Sequence, residues 1–294
     1  MKLLKLLIVV ILVSSCVTKN QDAIAHKKDY NKFLVSNEMK TTSKYFDLWN
    51  SKIRPDSMQL TSFGVVGGEY NRYFKQTGDI EFLKKAEKSL KKAVDIANIG
   101  KPGFYRSLAR NYISQHRFKE ALQLADSAAA IGGDKSETQS LYFDVHMELG
   151  NYQLAESYLD SLKNMSDFGY MIRVAKWNDY KGDLDTTINF MEKARTKAEL
   201  AKNKDLMLWS YTNLGDYYGH AGRIKDSYYQ YIKALEIDHN NAYAKKGIAW
   251  IVFSNDKNAA EAIRILDSVT KTYNAPDYFL LKAEIADYIG DDLV

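Results

Sequence analysis

The feature that most constrains this chain is a spacing that returns. Tyr105-x2-Leu108-Ala109-x2-Tyr112, followed by Ala121, Ala125 and Ala128, comes back as Tyr211-x2-Leu214-Gly215-x2-Tyr218, followed by Gly222, Ser227, Tyr231 and Ala234. Apolar residues three and four apart describe one helix face, and a small residue inside each face marks where a second helix crosses closely. A unit this short cannot bury its apolar stripe alone, so the repetition predicts a stack in which each unit is sealed by the next. With only 3 prolines and 16 glycines in 294 residues, breakers are too few for a loop-rich β fold, and the expected class is all-α. Pro55, Pro102 and Pro276 all fall between units, where a first helix begins and Pro is tolerated.

Setting one unit's start at Pro102 places the next at Ser136, with Gly150-Asn151 at its inter-helix turn and Ala155 and Leu159 behind. Others start near Phe168, Leu208 and Ala242, and Tyr70 to Ala93 forms an earlier one around Gly78-Asp79. This pattern resembles the tetratricopeptide repeat, a helix-turn-helix unit of about 34 residues. The resemblance implies a right-handed α-solenoid with a concave face lined by first helices. The expected units are 58–101, 102–135, 136–167, 168–207, 208–241, 242–275 and a partial 276–294, after a leading helical cap over 29–57. Two departures stand out: His239 where the repeat usually ends in Pro, and a 40-residue interval before Leu208.

The opening MKLLKLLIVVILVSSC sets Lys2 and Lys5 ahead of an unbroken apolar run from Leu6 to Val13, the layout of an export signal and too short for a comfortable membrane span. Val13-Ser14-Ser15-Cys16 resembles the lipobox of bacterial lipoproteins, which implies cleavage before Cys16 and a diacylglycerol on its thiol. The chain's single cysteine fits that reading and excludes both a disulfide framework and paired-thiolate zinc sites. The expectation is residues 1–15 as signal peptide, 16–28 as a polar tether, and a lipid-anchored protein of the bacterial cell envelope, at the outer membrane. The whole resembles Bacteroidetes tetratricopeptide lipoproteins, although Val17-Thr18-Lys19-Asn20-Gln21-Asp22 is a poor match to the acid-rich export tag some of them carry.

No catalytic constellation is legible. The five histidines are scattered over different units, and H-E-x-x-H, Gly-rich phosphate loops and G-x-S-x-G are absent. Asp216 and His220 share a helix face at i,i+4, but two ligands without a third make a poor metal site, so neither metal nor cofactor is expected. Gly67 and Gly68 lie inside a first-helix register and read as packing or loop positions. The Lys84, Lys85, Lys88, Lys91, Lys92 run alternates with Ala86, Leu90 and Ala93 as the wet side of a second helix. A formal net charge of +4, evenly scattered, gives no argument for a nucleic-acid partner.

The resemblance implies that ligands lie across the concave face. Carried over unit by unit, the contact positions are Arg72, Arg106, Arg110, Arg173, Lys176, Asn213, Asp216, His220, Lys246 and Trp250, with Trp209 and Tyr243 at the second position of their helices. Arg106 with Arg110, and Arg173 with Lys176, are spaced to grip carboxylates, with Asp144 and Glu148 lying between the two pairs. The expected function is non-catalytic binding of a protein or extended peptide, an acidic one where those pairs engage it; the alternative is a glycan-binding accessory lipoprotein for nutrient uptake. From Pro276 a further first helix is legible and the second helix of that unit is not, so we expect either a longer native chain or an open end that docks on a partner.

Overall fold

Short polar turns between apolar-striped segments leave helices as the chain's regular structure, and the computed structural model, which describes residues 23–35, 43–54, 56, 58–269 and 273–290, contains only helices among them. Two short pieces come first, α1 (Lys27–Tyr30), continued by a 3-10 turn, and α2 (Lys44–Asn50). Six antiparallel pairs follow: α3 (Leu60–Thr77) with α4 (Ile80–Ile96), α5 (Lys101–Ser114) with α6 (Phe118–Ile131), and α7 (Lys135–Glu148) with α8 (Tyr152–Ser161). Then come α9 (Phe168–Tyr180) with α10 (Leu184–Leu200), α11 (Lys204–His220) with α12 (Ile224–Ile237), α13 (Ala242–Ser254) with α14 (Ala259–Asp267), and last α15 (Pro276–Ile289). Each pair packs on the next in chain order, and successive first helices also touch along one side. This is the all-α solenoid that the repetition demands. The long interval before Leu208 is absorbed by α10 and α11, each of 17 residues, α11 beginning one turn early.

The turns repeat because their chemistry repeats. The N–H groups of Arg117, Asn151, Asp183 and Arg223 each donate to the carbonyl five residues back, at 2.8 to 2.9 Å. Each closes over one left-handed residue: His116, Gly150, Gly182 or Gly222. Asp134, Asp167, Asp183, Asn203, Asn241 and Asn258 then cap the following helix by accepting a backbone N–H. Pro102 and Pro276 sit in the first turns of α5 and α15, where no hydrogen bond is lost; Pro55 lies outside the described residues.

Small residues set how closely the helices cross. Ala109, Ala121 and Ala125 are fully buried in one cluster with Leu108, Tyr112, Leu141 and Val145. A Cβ on Gly67 would fall 2.7 Å from the Leu90 side chain, so Gly67 is a packing residue, while Gly68 has nothing within 4 Å. Gly215 and Gly247 flank one ring: a Cβ on either would meet Tyr231, at 2.7 and 2.5 Å. Tyr231 of α12 is thereby threaded between α11 and α13.

Two stretches differ from their sequence expectation. Residues 23–28, read as part of a free tether, are held: the Ile24 and Ala25 N–H groups donate to the two carboxylate oxygens of Asp256, each at 2.9 Å. The leading cap expected over 29–57 is two unrelated pieces. Only α2 covers the first pair, through Phe46 against Tyr70 and Tyr73. Tyr30 and Phe33 are instead buried in the cluster of α12, α13 and α14, some two hundred residues away in sequence. The apolar pair Tyr30 and Phe33 was visible in the sequence; nothing local said which end of the stack would receive it. Residues 1–22, which hold the stretch expected to be a signal peptide and Cys16, lie outside the described residues.

One core position is occupied by a charge. Lys245 stands in α13 where Tyr105 and Tyr211 stand in their units; it is 1% exposed, and its Nζ donates to the Ser268 carbonyl at 3.3 Å. Burial pushes its pKa below the ordinary lysine value, partly opposed by Asp238. The unfolded chain therefore holds more protons than the folded one just below the unfolded lysine pKa, so stability rises with pH through that window. Lys245→Met is expected to raise the stability of the α12–α15 region by about 1 kcal/mol at neutral pH and to flatten that rise, as read by denaturant unfolding from pH 7 to 10.

Candidate ligand groove

The polar residues of first helices, the side that the repeat resemblance makes concave, meet those of the next first helix. Arg173 of α9 reaches back to Asp144 of α7, Nη2 to Oδ2 at 2.6 Å and Nε to Oδ1 at 3.0 Å, while also donating to the Ser140 and Gly169 carbonyls. Lys176 pairs with Glu148 at 2.7 Å, one turn further along the same two helices. Arg110 of α5 pairs with Glu137 of α7, and Lys246 of α13 with Asp277 of α15. His220 Nδ1 lies 3.5 Å from Asp179 Oδ1, and Arg72 bonds within its own helix to Glu69 at 2.6 Å. The cations expected to grip a ligand therefore rest against carboxylates, most of them supplied one first helix away.

Arg106 is the exception. It has only Thr138 Oγ1, at 3.3 Å, and no carboxylate partner among the described residues. A guanidinium left with spare donors on a concave face is suited to an incoming carboxylate.

The other half of the groove is aromatic. Asp216 of α11 accepts from the Tyr231 hydroxyl at 2.6 Å and from the Tyr243 hydroxyl at 2.7 Å. Burial pushes the Asp216 carboxyl above its usual value; the two phenols, Lys246 and His220 pull the other way without reversing it. Its lone pairs are engaged by phenols and His220 turns to Asp179, so the i,i+4 pair is not assembled for a metal. Among the described residues, no three His, Cys, Asp or Glu side chains converge on a cation-sized space. Trp209, Tyr243 and Trp250 keep 37%, 36% and 41% of their surface exposed, a large ring area to leave on a wet face. Trp209 meets Phe168 edge-on at 5.9 Å, and Asn213 donates to the Trp209 carbonyl at 2.8 Å. This arrangement can bind, with apolar rings on α11 and α13 and a guanidinium without a carboxylate partner on α5.

The neutralising carboxylates carry a sequence signal. Each acid–base pair from Arg110 to Lys176 is separated by 27 to 29 residues, somewhat less than one unit. Tyr231 stands at a repeat position of the second helix, and its role at Asp216 becomes visible only once Gly215 and Gly247 are seen to open a path for its ring.

No protein-family model matches the chain, and no curated protein matches it in sequence. Its fold has relatives among solved structures. The Cut9–Hcn1 hetero-tetramer of the APC/C is 18% identical over 83% of this chain, with a TM-score of 0.60; this chain spans 45% of that one. A tetratricopeptide repeat protein of Thermus thermophilus is 15% identical, covering 66% of this chain and 99% of its own, with a TM-score of 0.54. A Rap protein solved in complex with competence and sporulation factor is 13% identical over 83% of this chain and 79% of its own, with a TM-score of 0.57. These likenesses show the fold: a right-handed α-solenoid of tetratricopeptide type.

Exposure separates the ion pairs energetically. Arg173 and Asp144 are 13% and 27% exposed and bidentate, whereas Arg110 and Glu137 are 44% and 52% exposed. Arg173→Ala is expected to cost about 2 kcal/mol, leaving a half-buried carboxylate unpaired, and Arg110→Ala under about 0.5 kcal/mol; urea unfolding of the two variants checks the difference.

Proposed function

We propose that this chain is a non-catalytic scaffold that holds a protein segment or extended peptide across its concave groove, and that it works at the bacterial cell envelope, lipid-anchored through Cys16. The observation that carries the binding reading is the exposure of Trp209, Tyr243 and Trp250 on α11 and α13, together with Arg106 of α5, which has no carboxylate partner among the described residues, all four on first helices. Aromatic anchors beside a few placed polar groups are the usual composition of a recognition surface. Arg110, Arg173 and Lys176 give the groove its geometry, since each would have to leave an internal carboxylate before engaging a ligand; Arg106 engages an acidic group directly. The similarity to solved scaffolds supports this reading at the level of fold. Among the described residues, no helix is long and apolar enough to cross a membrane; the address rests on the first sixteen residues of the sequence.

Glycan capture has one feature in its favour. Tyr152 and Tyr180 stack at 3.9 Å beside Trp177, in a cleft of about 600 Å³ edged by Gln153, Glu156 and Lys181. A rise in tryptophan fluorescence on titration with oligosaccharides, lost in Tyr180→Ala, would favour that alternative.

A photo-crosslinking side chain placed at position 250 or 106, in intact cells, is expected to trap one predominant partner, and the same group at exposed Lys163 is expected to trap none. Equal capture from all three positions would contradict a groove-bound ligand. Alkynyl-palmitate labelling that survives Cys16→Ser would contradict the anchor.

A further inference from the structure

The two ends of the stack meet. The Asn274 N–H, just before α15, donates to the Thr77 carbonyl at the end of α3 at 2.6 Å. Beside it, a Cβ on Gly78 would fall 2.7 Å from the Ala275 nitrogen and 2.8 Å from its Cα, a separation that no side-chain-bearing residue permits. Gly78 also has φ +67°, so the position requires glycine twice over. Six helix pairs packed in sequence, with the first touching the segment after the last, make a closed ring.

A second joint crosses the same gap. The segment 23–34 leads to α2, which packs on α3, yet it is seated on α12, α13 and α14. Asp256 takes two consecutive backbone N–H groups. Glu261, 6% exposed, receives Lys27 Nζ at 2.8 Å and the Tyr30 hydroxyl at 3.0 Å. Arg264 reaches Asn31, and Phe33 packs its ring 5.0 Å from His239. Polar groups of both signs thus join strap and seat, Lys27 on Glu261, Arg264 on Asn31, and the Tyr228 hydroxyl on Asp29 at 3.2 Å. The strap is short and holds no long helix of its own, so its order depends on the seat.

We propose that the strap and the Thr77–Gly78 joint form one clasp that locks the solenoid shut and gates the concave groove. A ligand with a free end enters through the ring's openings, while a segment inside a larger folded chain enters only when the clasp parts. The gating consequence rests on the groove being the binding site; the closure does not.

The test uses the full mature chain with Cys16→Ser and two readouts that need no ligand. Amide exchange at Ile24, Ala25 and Asn274 is expected to be slow in the parent. In Gly78→Ala, and separately in Asp256→Ala with Glu261→Gln, it is expected to quicken at least tenfold at all three sites. Gly182→Ala, with φ +77° and nothing within 4 Å of an added Cβ, is the control for left-handed strain and is expected to leave the three amides unchanged. For access, Asn213→Cys places a thiol in the groove, and the rate of its modification by 5-kDa polyethylene glycol maleimide is divided by that with N-ethylmaleimide. Breaking the clasp is expected to raise this ratio about tenfold. Quickening confined to whichever joint was mutated would overturn the single clasp, and an unchanged ratio in an opened ring would overturn the gate.

Discussion

Everything in this molecule depends on how closely paired helices cross. Where Ala109 faces Ala121, and where Gly215 and Gly247 admit the Tyr231 ring, the backbones approach enough for apolar stripes to be shared between pairs. Widening any of these crossings would tilt a pair relative to its neighbour, and because units are stacked in series the tilt would propagate to the first-helix face. The groove is a product of these crossings, and so is the meeting of Thr77 with Asn274 at the far side of the ring.

Charge on the concave face serves the stack before it serves a ligand. Asp144 and Glu148 hold Arg173 and Lys176, Glu137 holds Arg110, and Asp277 holds Lys246. These pairs fix the angle between successive first helices and leave the surface electrically quiet between Arg106 and the aromatic half. On the proposed binding reading, a surface so arranged discriminates by shape and by a few placed groups, with little long-range steering. Asp216 belongs to the same logic: held by two phenols from α12 and α13, it ties the second-helix layer to the groove wall.

Much of the fold was legible because it repeats. The small residues at Ala109, Ala121, Gly215 and Ser227 and the turn residues at Gly150, Gly182 and Gly222 recur at fixed offsets, and each is a local requirement of helix crossing or turn geometry. Of the candidate site the sequence offered register and not state: the spacing puts Arg173 on a first helix, but its bond to Asp144 depends on how two units are rotated against each other. The strap was not legible as such. Tyr30 and Phe33 are ordinary apolar residues near an N-terminus, and the acids that receive the strap, Asp256 and Glu261, are ordinary turn and helix-start residues in a unit more than two hundred positions away. Nothing periodic links them, and only the closing of the stack brings them together.

Closure is therefore the claim on which both the groove's dimensions and its accessibility stand. Pulsed electron-spin distance measurement between labels at Lys75 on α3 and Phe279 on α15, in the full chain, tests it most directly. The account predicts one narrow population at short range. A broad distribution extending over tens of ångströms, as six helix pairs in an open arc would give with about 10 Å between neighbouring axes, would contradict it.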